Sequence, residues 1–166
     1  FHRTYTHPVD GTTLDMKMLC NWYWYDETAI LETGKGTKDW NFYRYAETLL
    51  SAAEAIAQSS GVNAEAAGYL AQVKARANME GKDVSTIASE LQRLGKQAFI
   101  EECWKERLRE FPLEMKIWDD CVRTGKFPQI SATNKGEVQF VDLIGATNGS
   151  GAKFKETDLY WPIPVN

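Results

Sequence analysis

Residues 44–55 read Arg44-Tyr45-Ala46-Glu47-Thr48-Leu49-Leu50-Ser51-Ala52-Ala53-Glu54-Ala55, and the fold is decided here. Tyr45, Leu49, Ala52, Ala53 and, just beyond, Ile56 recur at the spacing of one helix face. Helical character begins at Trp40, with Asp39 placed to cap the start. Ser59-Ser60-Gly61-Val62-Asn63 stops this helix, and Asn63 is a natural N-cap for a second one reaching about Asn78. The apolar face of that second helix is Ala66, Leu70, Val73 and Ala77. The pair makes an antiparallel hairpin of about 35 residues, the length of a helix-turn-helix solenoid repeat. One hairpin cannot bury its own apolar face, so it needs neighbours.

The sequence supplies them. Ser85 can cap a helix with Ile87, Leu91 and Leu94, Gly95 permits a break, and Gln97–Arg109 is helical again. Pro112 fits the first turn of a last helix that runs to about Thr124 and ends at Gly125. Before Trp40 the chain carries Pro8, Asp10-Gly11 and Gly34-Lys35-Gly36, which predict loops with one extended stretch. After Phe127-Pro128 the pattern dissolves into Gly, Asn, Ser and Thr, with Val138-Gln139-Phe140-Val141 as a short strand and Tyr160-Trp161-Pro162-Ile163-Pro164 extended. The expectation is a mainly α fold of tetratricopeptide-like helical hairpins. It has an irregular aromatic-rich segment at 1–39, a helical-repeat core at 40–126 and an irregular wrapping segment at 127–166.

Composition narrows function. A chain of 166 residues with 43% hydrophobic and 25% charged residues is an ordinary globular composition. A net charge of -4 and a pI near 5.3 argue against nucleic acid or anionic lipid as partner, since both need clustered Lys and Arg. No apolar run approaches the roughly 20 residues that span a bilayer. The N-terminus Phe1-His2-Arg3-Thr4 carries no signal-peptide pattern, so an export address would lie upstream. Cys20, Cys103 and Cys121 have no metal-site spacing and read as small apolar residues, a Cys103–Cys121 bridge being the alternative in an oxidising compartment.

Several stretches taken together resemble the SusD/RagB family of Bacteroidetes. Residues 44–55 look like that family's R-Y-A-E-x-L-L-x-x-A-E-A helix, and Leu70-Ala71-Gln72-Val73-Lys74-Ala75-Arg76-Ala77 is similar to L-N-x-V-R-x-R-A. Ile100-Glu101-Glu102 through Glu106-Arg107, and Glu114-Met115-Lys116-Ile117-Trp118-Asp119-Asp120-Cys121-Val122-Arg123-Thr124-Gly125-Lys126, follow the family's I-x-x-E-R and E-G-x-R-W-x-D-L-x-R-x-G-K segments. Leu159-Tyr160-Trp161-Pro162-Ile163-Pro164 resembles its L-x-P-I-P close. Met115 stands where the family has Gly, Ile117 where it has Arg and Cys121 where it has Leu, so the surroundings of Glu114 depart most. The resemblance covers roughly residues 40–166 and implies the C-terminal part of a tetratricopeptide-like protein. Such a protein binds oligosaccharide or polysaccharide at the cell surface and docks on a SusC-like TonB-dependent transporter. It is held to the outer membrane through an N-terminal lipid absent from this chain.

Glycans are bound by flat rings that meet sugar C–H groups, with polar side chains reaching the hydroxyls. Trp22, Trp24, Tyr25 and Trp40 are the candidates, because they lie in or beside the irregular segment where binding residues gather. In an extended strand Trp22 and Trp24 share one face. Trp104, Trp118 and Trp161 sit among apolar neighbours and read as core. Glu102, Glu106 and Glu110, interleaved with Lys105, Arg107 and Arg109, read as an ion-paired helix and not as a glycosidase acid and base. The two histidines, His2 and His7, are both near the terminus, so no catalytic residue, metal site or cofactor is indicated. Thr33-Gly34-Lys35-Gly36-Thr37 lacks phosphate-loop spacing, and Asn148-Gly149-Ser150 reads as a turn. The alternative function is a helical-repeat scaffold that binds protein and no glycan; it calls for a groove lined by polar and charged residues without a Trp platform.

Overall fold

A computed structural model of the protein describes residues 2–6, 11–20, 26, 36, 38–131, 133 and 136–160. The chain divides into two compact units, Phe1–Phe42 and Tyr43–Asn166.

In the first unit β1 (His2–Thr6) pairs antiparallel with β2 (Thr13–Cys20), Thr6 lying opposite Thr13 and Tyr5 opposite Leu14. Gly11 takes the positive φ of 72° that a turn between two strands readily uses. Two strands stand here in place of the loops and single extended stretch expected. The signal lay in Leu14, Met16 and Met18 alternating with Asp15 and Lys17, a period of two that outweighs the punctuation by Pro8 and Gly11.

The second unit is helical: α1 (Tyr45–Ser60), α2 (Ala64–Arg76), α3 (Val84–Leu91), α4 (Lys96–Glu110) and α5 (Ile117–Thr124). Only Gly61, Val62 and Asn63 join α1 to α2, so the two run antiparallel as expected. Asn63 caps α2 by accepting from the Ala66 amide at 2.9 Å. Leu50, Ala53, Ala57, Ala66, Ala67, Leu70 and Ala71 are fully buried, and the many alanines let the helix axes approach closely. Ile87 and Leu91 of α3 and Phe99, Ile100 and Cys103 of α4 complete this core.

Three details differ from expectation. The first helix starts at Tyr45, not Trp40, with extended Arg44 at the N-cap and no cap from Asp39, because the Arg44 side chain is committed to Glu110 and Glu114. Its buried face is Leu49, Leu50, Ala53, Glu54 and Ala57, one residue round from the expected stripe, while Tyr45 is exposed. Asp83, not Ser85, caps α3, accepting from the Thr86 amide at 2.7 Å. Pro112 belongs to a turn over 112–115, and α5 begins only at Ile117.

After Gly125, β3 (Lys126–Ile130) pairs antiparallel with β4 (Val138–Asp142). The expected strand at Val138 thus acquires a partner that Pro128 had disguised, proline being tolerated in an edge strand. The ring of Phe140 meets Trp104 edge-on, with centroids 5.2 Å apart. Asn148 folds its own turn, accepting from the Ser150 and Ala152 amides at 3.0 Å each. Trp118 is more exposed than its core assignment predicted; its ring packs against Phe154 at 5.6 Å. Trp161 and the rest of the closing motif lie outside the described residues.

A lattice of buried charge ties the helices together. Glu54 accepts from Arg123 at 2.8 Å through both carboxylate oxygens and from the Trp104 indole at 2.9 Å. Arg107 of α4 donates to Asp120 at 2.7 Å and pairs with Glu47 at 3.3 Å. Arg44 grips Glu114 with Nε and Nη2, both at 2.9 Å, and donates to Glu110 at 2.8 Å. The departures around Glu114 therefore leave this network intact. The guanidinium groups of Arg44 and Arg107 also lie over the Phe111 ring, at 4.8 and 5.3 Å. Among the described residues no buried side-chain nitrogen or oxygen lacks a hydrogen-bond partner. Cys103 and Cys121 are free and buried, and burial pushes their thiols up to about 12 and about 11, which leaves them unreactive.

Burial opposes ionisation of Glu54, but the hydrogen bonds from Arg123 and Trp104 outweigh it and hold the carboxyl below its ordinary value of 4.5. A depressed carboxylate stabilises the fold above its unfolded-state pKa, and that contribution disappears as pH falls through the folded value. Glu54→Gln is expected to cost roughly 1–3 kcal/mol at neutral pH and to flatten the loss of stability below about pH 4.5. Urea unfolding across that range checks both, and an unchanged acid limb would count against the pair. A second expectation concerns the turn before α5, where Leu113 and Met115 adopt φ of 63° and 60°. These values suit glycine, the residue the family carries at Met115. Met115→Gly should raise stability by about 1 kcal/mol, read as a higher urea midpoint at constant slope; a lower midpoint would show that the backbone there is not strained.

Candidate aromatic site

The first unit holds the candidate glycan-binding rings. Trp22, Trp24 and Tyr25 lie outside the described residues. Trp40 is described: it is 52% exposed, and its ring lies 6.5 Å from that of Phe42, itself 73% exposed, with the planes tilted by 34°. Both rings leave apolar surface in water, and covering such surface is favourable.

Local chemistry explains how the chain is led to Trp40. The Asp26 carboxylate accepts the Lys38 amide at 3.1 Å, a link across twelve positions of the chain. Gly36 must approach the same carboxylate, since a Cβ there would stand 2.7 Å from Asp26 Oδ2. Trp40 follows two residues after this anchor. Asp26 and Phe42 were not marked by the sequence pattern. A lone Asp has no period, and Phe42 precedes a helix that expectation had begun too early.

Asp26→Ala should remove this hydrogen bond and speed hydrogen exchange of the Lys38 amide by at least about tenfold, with little change in the second unit. Unaltered exchange would show that the anchor does not hold the segment.

Comparison with known proteins bears on this arrangement. No curated protein matches the chain. In solved structures, the chain is similar to a SusD superfamily protein from Parabacteroides distasonis ATCC 8503, with a TM-score of 0.73 and 29% identity over 92% of this chain. It spans 30% of the length of that solved chain. The sequence profile of the SusD family matches residues 3–166, taking in the β1–β2 hairpin, the helical frame and the closing segment alike, and the chain belongs to that family.

Proposed function

We propose that this chain is the part of a surface nutrient-binding protein that helps capture oligosaccharide or polysaccharide for a TonB-dependent transporter, without breaking bonds. The observation that carries the reading is the exposed Trp40–Phe42 ring pair, with its rings 6.5 Å apart. Family membership supports it. Sugar C–H faces stack on such rings, and neighbouring amide and carboxylate groups take the hydroxyls. Shallow stacking of this kind binds and releases, as hand-over to a transporter demands.

The alternative use of paired carboxylates, glycosidic hydrolysis, is not favoured by the geometry of α4. Glu106 and Glu110 are buried and held by Lys74, Arg109, Arg44 and Arg76, which supports a structural role for both. No helix among the described residues is long and apolar enough to cross a membrane. The proposed position on the outer membrane is supported by family membership alone.

Native gels cast with a panel of soluble polysaccharides test the capture reading. One polysaccharide should retard the protein, and Trp40→Ala should weaken that retardation by roughly tenfold, with Trp22→Ala/Trp24→Ala at least as severe. Retardation by none of them would set glycan capture aside, and retardation that survives all three substitutions would place the site elsewhere.

A further inference from the structure

A cavity of about 470 Å³ opens in the helical unit between the end of α2, the 77–83 turn, α3 and the second half of α4. Pockets of roughly 300–1,000 Å³ hold small ligands and short peptide segments. Its rim carries two separate sets of ion pairs. On the α2–α4 side Lys74, Arg76 and Arg109 pair with Glu102, Glu106 and Glu110. On the α3 side Lys82 bridges Glu80 and Glu90, at 2.8 and 2.9 Å.

The two sets are exposed in opposite senses. Arg76 is 65% exposed over a Glu110 that is 4% exposed, and Arg109 is 53% exposed over a Glu106 at 7%, so this side turns its cations to water. On the other side Glu80 and Glu90 are both more exposed than the Lys82 between them, so that side turns its carboxylates outward. Ile87 is buried and lines the cavity, Met79 stands fully exposed at its edge, and no aromatic ring is among the described residues that line it. A sugar face has nothing to stack on here. A plain anion would be welcomed by one side and repelled by the other.

We infer that this cleft is a docking site for a mixed-charge peptide segment of a protein partner, with an acidic side chain set against Arg76 and Arg109 and a basic one against Glu80 and Glu90. Opposed charge of this kind fixes the direction in which a segment lies, and it selects partners more than it tightens them. The site is built from residues of the second unit alone, and the inference does not depend on glycan capture.

Blocked tetrapeptides in which two Gly separate one Lys and one Glu provide the probe, titrated into the labelled chain and followed by amide NMR shifts. The Lys/Glu peptide should give saturable shifts at Met79, Lys82 and Glu110. Peptides with two Glu or two Lys should bind roughly tenfold more weakly. Raising salt from about 0.05 to about 0.5 M should weaken the mixed peptide, because the Debye length shortens. Arg76→Gln and Glu90→Gln, one on each side, should each reduce binding at least about fivefold, whereas Trp40→Ala should not. The peptide series in the unaltered chain tests the idea even where a substitution disturbs folding. Absence of saturable shifts with the mixed peptide, or equal binding of the two-Glu peptide, would overturn it.

Discussion

The structure of the helical unit depends on the burial of charge along α4. Glu106, Arg107 and Glu110 are all nearly inaccessible, and Glu54 of α1 is buried as well. A buried charge without a partner costs several kcal/mol, whereas a fully paired one is tolerated. Every neighbouring element must therefore present the opposite sign at the right height. Glu47 and the Arg44 that precedes α1 do so, as do Lys74 and Arg76 of α2 and Asp120 and Arg123 of α5. Apolar contact between alanine-rich helices is permissive about sliding and rotation. The ion pairs are not, and they fix the register in which α1, α2, α4 and α5 meet.

That constraint reaches into details which otherwise look arbitrary. The chain stays extended at Arg44 because its guanidinium must reach Glu110 and Glu114. The turn before α5 accepts left-handed backbone at Leu113 and Met115 while Glu114, between them, is held by Arg44. The same pairing engages Glu102, Glu106 and Glu110 of α4. The ion-paired helix that the sequence suggested at α4 is a structural clamp in three dimensions.

The two units carry surfaces of different chemistry. The first carries the exposed rings of Trp40 and Phe42, close in sequence to the Asp26–Lys38 hydrogen bond. The second carries a polar cleft with oppositely charged sides and no ring among its described lining residues.

The α1–α2 hairpin, the Asn63 cap, the break at Gly95 and the stop at Gly125 were legible in the sequence, since helix period and capping act over a few residues. The family was legible for the same reason, its motifs being runs of local helix chemistry. Trp40 as an exposed ring could be picked out from its place beside an irregular segment. Tertiary structure alone decided the rest. It rotated the buried face of α1 by one residue to admit Glu54, began α1 at Tyr45, gave Val138–Asp142 its partner across Pro128 and left Trp118 exposed. It also brought Arg76, Lys82, Glu90 and Arg109 round one cavity. Such outcomes depend on which charge meets which across long separations, Arg44 with Glu110 and Glu54 with Arg123, and no local pattern of residues encodes a pairing made only when distant helices pack.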